Sequence, residues 1–148
     1  MFMEIAQVVA KRATCFRENV GCIIVKDNKV ISIGYNGPPA GEPHCEFHPK
    51  GKCDRAIHAE ENAINFLKED HSDWARKCDL YVTHLPCGKC VDLIIKSGII
   101  KHVFFSVIYS DPKDAYEKLD EAGIRLHRIM PSGDITSHNR EEIYNDYK

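Results

Sequence analysis

Five short runs of apolar and β-branched residues recur along the chain, and amphipathic helical stretches separate most of them. The first two runs, 20–26 and 29–33, flank the turn residues Asp27 and Asn28 and predict an antiparallel hairpin. A hairpin followed by strand–helix repeats predicts an α/β fold, a three-layer α/β/α sandwich around a mixed five-stranded sheet. The other predicted strands are 80–83, 103–107 and 124–129, and the predicted helices are 3–13, 58–67, 87–96 and 113–122.

The segment 34–53 interrupts this pattern, because it is rich in proline and glycine and has no hydrophobic periodicity. It is predicted to be a loop of about 20 residues, and loops of that length in compact domains are usually functional. The 148 residues fit a single domain, 1–148, in which 130–148 is a weakly determined C-terminal tail. At most a short helix near 141–147 is expected in that tail.

The charge balance narrows the class of ligand. Charged residues make up 28% of the sequence and the formal net charge is −2, which argues against a polynucleotide as partner. A small phosphorylated ligand stays compatible, because it needs only one or two local cations. No apolar run approaches the ~20 residues that cross a bilayer, and the charge order of residues 1–13 does not fit a secretory signal. We therefore expect a cytoplasmic protein without a membrane partner.

The seven cysteines are expected to serve metals or catalysis, because a reducing compartment disfavours disulfides. Two short motifs carry the strongest candidates, H-A-E at 58–60 and P-C-G-K-C at 86–90. Cys87 and Cys90 are three residues apart, so both sulfurs can reach one ion from a single helical turn. With His58 they make a three-ligand Zn²⁺ set whose fourth position is left for water, as in catalytic zinc sites.

Glu60 lies two residues beyond His58, where its carboxylate could accept a proton from water at the metal and pass it to a substrate. Zinc lowers the pKa of such a water to about 7, which makes this chemistry available at neutral pH. Three interpretations without hydrolysis stay open. Cys87 and Cys90 could form a thioredoxin-like redox pair, or they could be half of a closed structural zinc site. His58 could also be a satisfied core histidine, with Glu60 in solvent.

A second group of potential metal ligands lies in and before the long loop: Cys15, Cys45, His48 and Cys53, with His44 as a further candidate. Three thiolates and one imidazole would form a closed structural zinc site. Metal binding there would contribute folding free energy and hold the loop in place. The alternative is that these are surface or half-buried thiols. Cys22, inside an apolar strand, and Cys78 are predicted to be core residues.

These residues make the chain resemble the deoxycytidylate (dCMP) deaminases of the cytidine deaminase superfamily, from about residue 13 to residue 129. The motifs H-x-E and P-C-x-x-C together are the signature of zinc deaminases. IHAEENAI at 57–64 is similar to the zinc helix of that family, and ATCFRENVG at 13–21 resembles the approach to its first strand. GYNG at 34–37 resembles its glycine–tyrosine–asparagine–glycine loop. The resemblance implies a cytidine deaminase-like fold.

The reaction implied by the resemblance is hydrolytic deamination of dCMP to dUMP with release of ammonia, a source of dUMP for thymidylate synthesis. Water activated by zinc would attack C4 of cytosine, while Glu60 would protonate N3 and then the departing amine. One carboxylate that acts twice needs a pKa near the working pH, which partial desolvation beside the metal can arrange.

The resemblance also implies substrate contacts. The backbone N–H of Ala59 would donate to O2 of the pyrimidine, and Asn36 would hydrogen-bond the 3′-hydroxyl. Arg17 is the first candidate for the 5′-phosphate, because a guanidinium offers phosphate a bidentate fork. Tyr109 is the second, because it follows a strand expected to end near the site. Ordinary surface positions are the alternative for Arg17 and Tyr109.

Members of this family are homo-hexamers that dCTP activates and dTTP inhibits, with Mg²⁺ accompanying the triphosphate. The resemblance implies the same here, with an effector-binding segment formed by Gly34, Tyr35, Asn36 and Gly37. Tight turns after a strand would explain both glycines equally well. Two other functions are weighed against this one: a tRNA adenosine deaminase, which shares both zinc motifs, and a non-catalytic zinc module that binds nucleic acid. The net charge of −2 argues against both.

Overall fold

A mixed β-sheet forms the centre of the computed structural model, which describes residues 1–13, 19–37, 57–67 and 73–137. Its strands are β1 (Gly21–Lys26), β2 (Lys29–Tyr35), β3 (Cys78–His84), β4 (Ile100–Val107), β5 (Arg125–Ile129) and β6 (Ile135–Ser137). Their order in the sheet is β2-β1-β3-β4-β5-β6. The pairs β3–β4 and β4–β5 are parallel, and the pairs that involve β1, β2 and β6 are antiparallel. The five predicted strands and the mixed sheet are confirmed.

Helices cover both faces of this sheet: α1 (Phe2–Ala10), α2 (Ala59–Asn65), α3 (Gly88–Ser97) and α4 (Lys113–Glu121). On one face α1 packs Met3, Ala6 and Val9 against Ile23 and Val25 of β1. On the other face, α2, α3 and α4 enclose the larger core with the inward side chains of β1, β3, β4 and β5. The predicted three-layer α/β/α arrangement is therefore confirmed. Within the described ranges, no helix is long and apolar enough to cross a bilayer.

The two buried cysteines outside the metal motifs belong to the larger core. Cys22 in β1 and Cys78 at the start of β3 are both fully enclosed. Burial raises the pKa of each thiol, so both stay protonated and behave as small apolar side chains. Their predicted core role is confirmed.

Two parts of the sheet differ from the prediction. β2 continues through Gly34 and Tyr35, where the sequence predicts a loop, because these residues pair with Cys22 and Gly21 of β1. β6 lies in the segment expected to be a weakly determined tail, where a turn at 130–134 folds it back onto β5. A strand of three residues is too short to show an alternating pattern. The predicted helix near 141–147 and most of the long loop lie outside the described residues.

The strand register brings several segment ends to one edge of the sheet. β3 and β4 end together, with His84 beside Val107. β1 runs antiparallel to β3, so the start of β1 lies at the same edge, where the backbone N–H of Gly21 donates to Thr83 Oγ1 at 3.2 Å. Ligands of α/β proteins bind in the crevice outside the carboxyl ends of such parallel strands. A ligand site is therefore expected at this edge of the sheet.

Gly34 allows α2 to lie close against β2. A Cβ atom at Gly34 would overlap the backbone oxygen of Ala59 and lie 2.5 Å from the backbone nitrogen of Ala63. Ser32 Oγ, two residues earlier in β2, donates a hydrogen bond to the Ala63 oxygen at 2.5 Å. The side chain missing from Gly34 thus makes room for the backbone of α2 and sets the position of Ala59.

We expect Gly34→Ala to lower the free energy of unfolding by about 1–3 kcal/mol, because both obstructing atoms are backbone atoms that cannot rotate away. Gly88→Ala is the matched control, since a Cβ there would meet nothing within 4 Å. The midpoints of urea unfolding measure both effects. Equal midpoints for Gly34→Ala and the unmodified protein would contradict the packing role of Gly34.

Candidate active site

His58, Cys87 and Cys90 meet between the start of α2 and the start of α3. Their ligand atoms all lie within 4.8 Å of one another. His58 Nδ1 is 3.2 Å from Cys90 Sγ and 3.4 Å from Cys87 Sγ. A nitrogen and a sulfur that bind one tetrahedral Zn²⁺ are themselves about 3.5 Å apart. The structure therefore brings the three predicted ligands together at the spacing that zinc requires.

Local backbone geometry fixes these ligands. His58 and Cys87 are the N-cap residues of α2 and α3, with extended backbones that direct the chain into each helix. Just before His58, Gly37 and Ile57 exchange two backbone hydrogen bonds, of 3.2 and 2.7 Å, that hold the approach to α2. Cys90 follows one turn into α3, so its sulfur returns to the side of Cys87.

The electrostatics of the cluster favour a thiolate at Cys87. Hydrogen bonds to its sulfur from Cys90 and His58 lower the pKa of Cys87 to about 3. The same contact with Cys87, together with burial, raises the pKa of Cys90, and the hydrogen bond to Cys87 raises the pKa of His58. Thiolate is the metal-binding form of cysteine, and a donor set of two sulfurs and one imidazole suits zinc.

No fourth side chain closes this cluster within the part of the chain that the structure describes. There, the group of histidine, cysteine and acidic side chains able to hold one ion consists of His58, Cys87 and Cys90. Structural zinc sites use four protein ligands, whereas catalytic sites use three and leave one position for water or substrate. The donor set thus fits a catalytic zinc ion better than a structural one or a redox pair.

Glu60 is the second residue of α2 and is only 4% exposed. Burial raises its pKa, and hydrogen bonds from its own backbone N–H and from Cys90 oppose the shift. A carboxyl group with a raised pKa can both release and take up a proton near neutral pH. Its position beside Cys90 places this group at the metal cluster.

A cavity of about 120 Å³ opens beside the cluster. It is smaller than the 300–1,000 Å³ typical of pockets for drug-sized ligands, so it fits one small ring rather than a whole nucleotide. Six of the predicted site residues line it: Asn36, His58, Ala59, Glu60, Cys87 and Tyr109. Three more were not predicted: Val20, His84 and Leu85.

The remaining predicted residues fall into two groups. Gly34 and Tyr35 are described, but Gly34 packs against α2 and Tyr35 contributes to the core beneath α1. An effector-binding role for the segment 34–37 stays a prediction. The following predicted residues lie outside the described ranges: Arg17, Cys15, Cys45, His48 and Cys53, together with His44.

The three unpredicted lining residues reach the cavity through the pairing of strands that are distant in sequence. His84 is the last residue of β3 and stands three residues before Cys87. The sequence shows His84 directly after the predicted strand 80–83, but the parallel register of β3 and β4 is what brings it to the cavity. Val20 and Leu85 are apolar walls, and the sequence carries no sign that separates them from other core residues.

A three-layer α/β/α sandwich with a two-sulfur, one-imidazole site and a buried glutamate at the carboxyl edge of its sheet defines the class of zinc deaminases. Residues 1–107 match the family model described as the cytidine and deoxycytidylate deaminase zinc-binding region. The chain belongs to the cytidine and deoxycytidylate deaminase family.

Individual relatives agree with this assignment. ComE operon protein 2 of Bacillus subtilis is 36% identical over 149 residues, which cover 96% of this chain and 77% of that protein. Deoxycytidylate deaminase of Schizosaccharomyces pombe is 33% identical over 142 residues, which cover 88% of this chain but only 43% of the yeast protein. This chain therefore spans less than half of the yeast relative.

Among solved structures, dCMP deaminase of the cyanophage S-TIM5 in complex with dCMP and dUMP superposes with a TM-score of 0.75 at 28% identity. The match covers 86% of this chain and 93% of the cyanophage chain. The predicted cytidine deaminase-like fold is confirmed.

Proposed function

We propose that the protein catalyses the zinc-dependent hydrolytic deamination of dCMP to dUMP with release of ammonia. The observation that carries this proposal is the cluster of His58, Cys87 and Cys90 with buried Glu60 beside it, at a cavity the size of one small ring. The cyanophage enzyme that shares the fold was crystallised with this substrate and product, which supports the same substrate here.

Within this proposal, His58, Cys87 and Cys90 hold the zinc ion. When bound, zinc supplies a Lewis acid that makes water a nucleophile at neutral pH. Glu60 takes the proton that this water gives up and delivers it to N3 of cytosine. The water oxygen would bond to C4, and Glu60 would carry the second proton of that oxygen to the amine, which leaves C4 as ammonia while the oxygen stays as the carbonyl of dUMP. The raised pKa of Glu60 supports both transfers, since the group must exchange protons in both directions.

Backbone and amide groups in the cavity support the proposed substrate contacts. The N–H of Ala59 lies in the first turn of α2, before any helix carbonyl can accept it, and we assign it to O2 of the pyrimidine. Buried Asn36 accepts the backbone N–H of Val20 at 2.8 Å through Oδ1, which fixes its side chain at the cavity wall. We assign Asn36 to the 3′-hydroxyl.

The assay that tests this function is steady-state release of ammonia from dCMP by zinc-loaded protein. We expect turnover of dCMP and none of a tRNA anticodon hairpin. Turnover of the hairpin instead would favour the tRNA adenosine deaminase alternative, against which the net charge of −2 argues. No turnover of either would favour a zinc module without catalysis, against which the buried Glu60 argues.

Arg17 is proposed to bind the 5′-phosphate, with Tyr109 as the second candidate. Arg17→Ala is expected to raise KM for dCMP about tenfold or more, the worth of one charge-assisted hydrogen bond, and to leave KM for deoxycytidine nearly unchanged. Arg12→Ala, at an exposed position beside α1, is the matched control. Equal changes in KM for nucleotide and nucleoside would remove Arg17 from the phosphate site.

Further proposals rest on family resemblance. We propose a cytoplasmic, single-domain homo-hexamer that supplies dUMP for thymidylate synthesis. In this scheme dCTP activates, dTTP inhibits, and Mg²⁺ accompanies the triphosphate. A second, structural zinc ion would be held by Cys15, Cys45, His48 and Cys53. Rates with and without each triphosphate test the effector proposal, the mass in solution tests the hexamer, and the zinc content per chain tests the second zinc ion.

A further inference from the structure

His84 lies on the cavity wall without belonging to the metal ligands or to the proton relay. It pairs in parallel register with Val107 where β3 and β4 end. The next residue, buried Leu85, donates its backbone N–H to the Val107 oxygen at 2.9 Å. The half-buried His84 side chain lines the same cavity as Glu60 and Cys87. The main chain therefore holds His84 firmly at the site.

One edge of the His84 ring is fixed by its neighbour Thr83. His84 Nδ1 is 2.8 Å from Thr83 Oγ1, and that oxygen also accepts the backbone N–H of Gly21 at 3.2 Å. We assign the proton of the buried threonine hydroxyl to His84 Nδ1. The neutral ring then carries its own proton on Nε2, and the cationic ring carries one there as well. In both states Nε2 is a hydrogen-bond donor.

Tyr109 stands beside His84, with ring centroids 6.3 Å apart and ring planes inclined at 54°. It is 47% exposed, so this part of the cavity faces solvent. In the proposed reaction C4 of the pyrimidine lies at the metal cluster, and a cavity of about 120 Å³ leaves the sugar and 5′-phosphate to extend toward solvent. The rings of His84 and Tyr109 are neighbours on the cavity wall, and Tyr109 is on its exposed side.

We propose that His84 is a specificity-determining residue that donates a hydrogen bond from Nε2 to the 5′-phosphate of the nucleotide. The proposal rests on the proposed function and deepens it, because it explains how a nucleotide would be preferred to a nucleoside. A donor at the end of β3 is positioned by the sheet itself, through the contacts of Thr83 and Leu85.

The test compares His84→Ala and His84→Gln with the unmodified protein. For His84→Ala we expect kcat/KM for dCMP to fall about 10–100-fold, mainly through KM, and kcat/KM for deoxycytidine to change less than about threefold. His84→Gln keeps an amide donor and should lose less. Calorimetric Kd values should weaken by the same factor for dUMP but not for deoxyuridine. His102→Asn is the control, because His102 is also partly buried in a parallel strand but bonds to His127 instead.

Equal losses for nucleotide and nucleoside would overturn the proposal, because they would place His84 at the base or in a structural role. Unchanged Kd for dUMP in both variants would overturn it as well. If His84→Ala does not fold, the Kd of His84→Gln for dUMP, compared with its Kd for deoxyuridine, tests the proposal instead. The proposed function fails separately, when the unmodified protein itself does not deaminate dCMP.

Discussion

Glu60→Gln should lower kcat for dCMP by about 10²–10⁴-fold, the usual worth of a positioned general acid–base, while zinc content and fold are retained. The amide has nearly the same shape as the carboxylate but cannot exchange a proton. The ligand set of His58, Cys87 and Cys90 does not include Glu60, so metal binding should survive. Steady-state kinetics with metal analysis on the same sample measure both.

Glu61→Gln is the matched control for this change. Glu61 is the next residue of α2 and forms an ion pair of 3.6 Å with Lys89 on α3, whose side chain is largely exposed. Such exposed pairs contribute about 0–1 kcal/mol, so kcat should stay near that of the unmodified protein. Activity retained by Glu60→Gln would end its assignment as the proton carrier.

Cys90→Ala should lower the zinc content by one ion per chain and abolish detectable turnover. Cys90 is fully buried and approaches His58 Nδ1 at 3.2 Å, so its loss leaves two ligands for the metal. Stability should fall too, by about 4 kcal/mol where free zinc exceeds Kd by about 1,000-fold, because the metal binds only the folded chain. Metal analysis and thermal unfolding with and without added zinc measure these effects.

The control is Cys78→Ala, which removes an equally buried sulfur from the larger core at the start of β3, the opposite end of that strand from the site. The zinc content of Cys78→Ala should not change. Any loss of stability in this variant comes from lost packing alone, so added zinc should stabilise it as much as it stabilises the unmodified protein. The loss of one ion from Cys90→Ala is expected whether the unmodified protein holds one zinc or two. Full zinc content in Cys90→Ala would refute the ligand assignment.

Much of the fold could be predicted because local chemistry marks its elements. Gly98 and Gly123 take left-handed conformations, with φ of 72° and 77°, at the ends of α3 and α4. Glycine adopts such angles without strain, so the predicted helix ends were close to the observed ones. β6 is too short for a periodic pattern, and the extension of β2 through Gly34 depends on the partner strand β1.

The metal ligands were predictable for a different reason. The motifs H-x-E and P-C-x-x-C together form the zinc-deaminase signature, so His58, Cys87 and Cys90 could be identified as candidate ligands without a fold. His84 and Val20 reach the cavity only through the register of β1, β3 and β4, which no local pattern encodes. The packing role of Gly34 was missed because turns, ligand contacts and close helix packing all favour glycine.

The paired hydrogen bonds between Gly37 and Ile57 tie the residue before His58 to the chain that follows β2. The imidazole is therefore positioned by backbone pairing as well as by the start of α2. A variant that loses this pairing should bind zinc more weakly even though all three ligand side chains are still present.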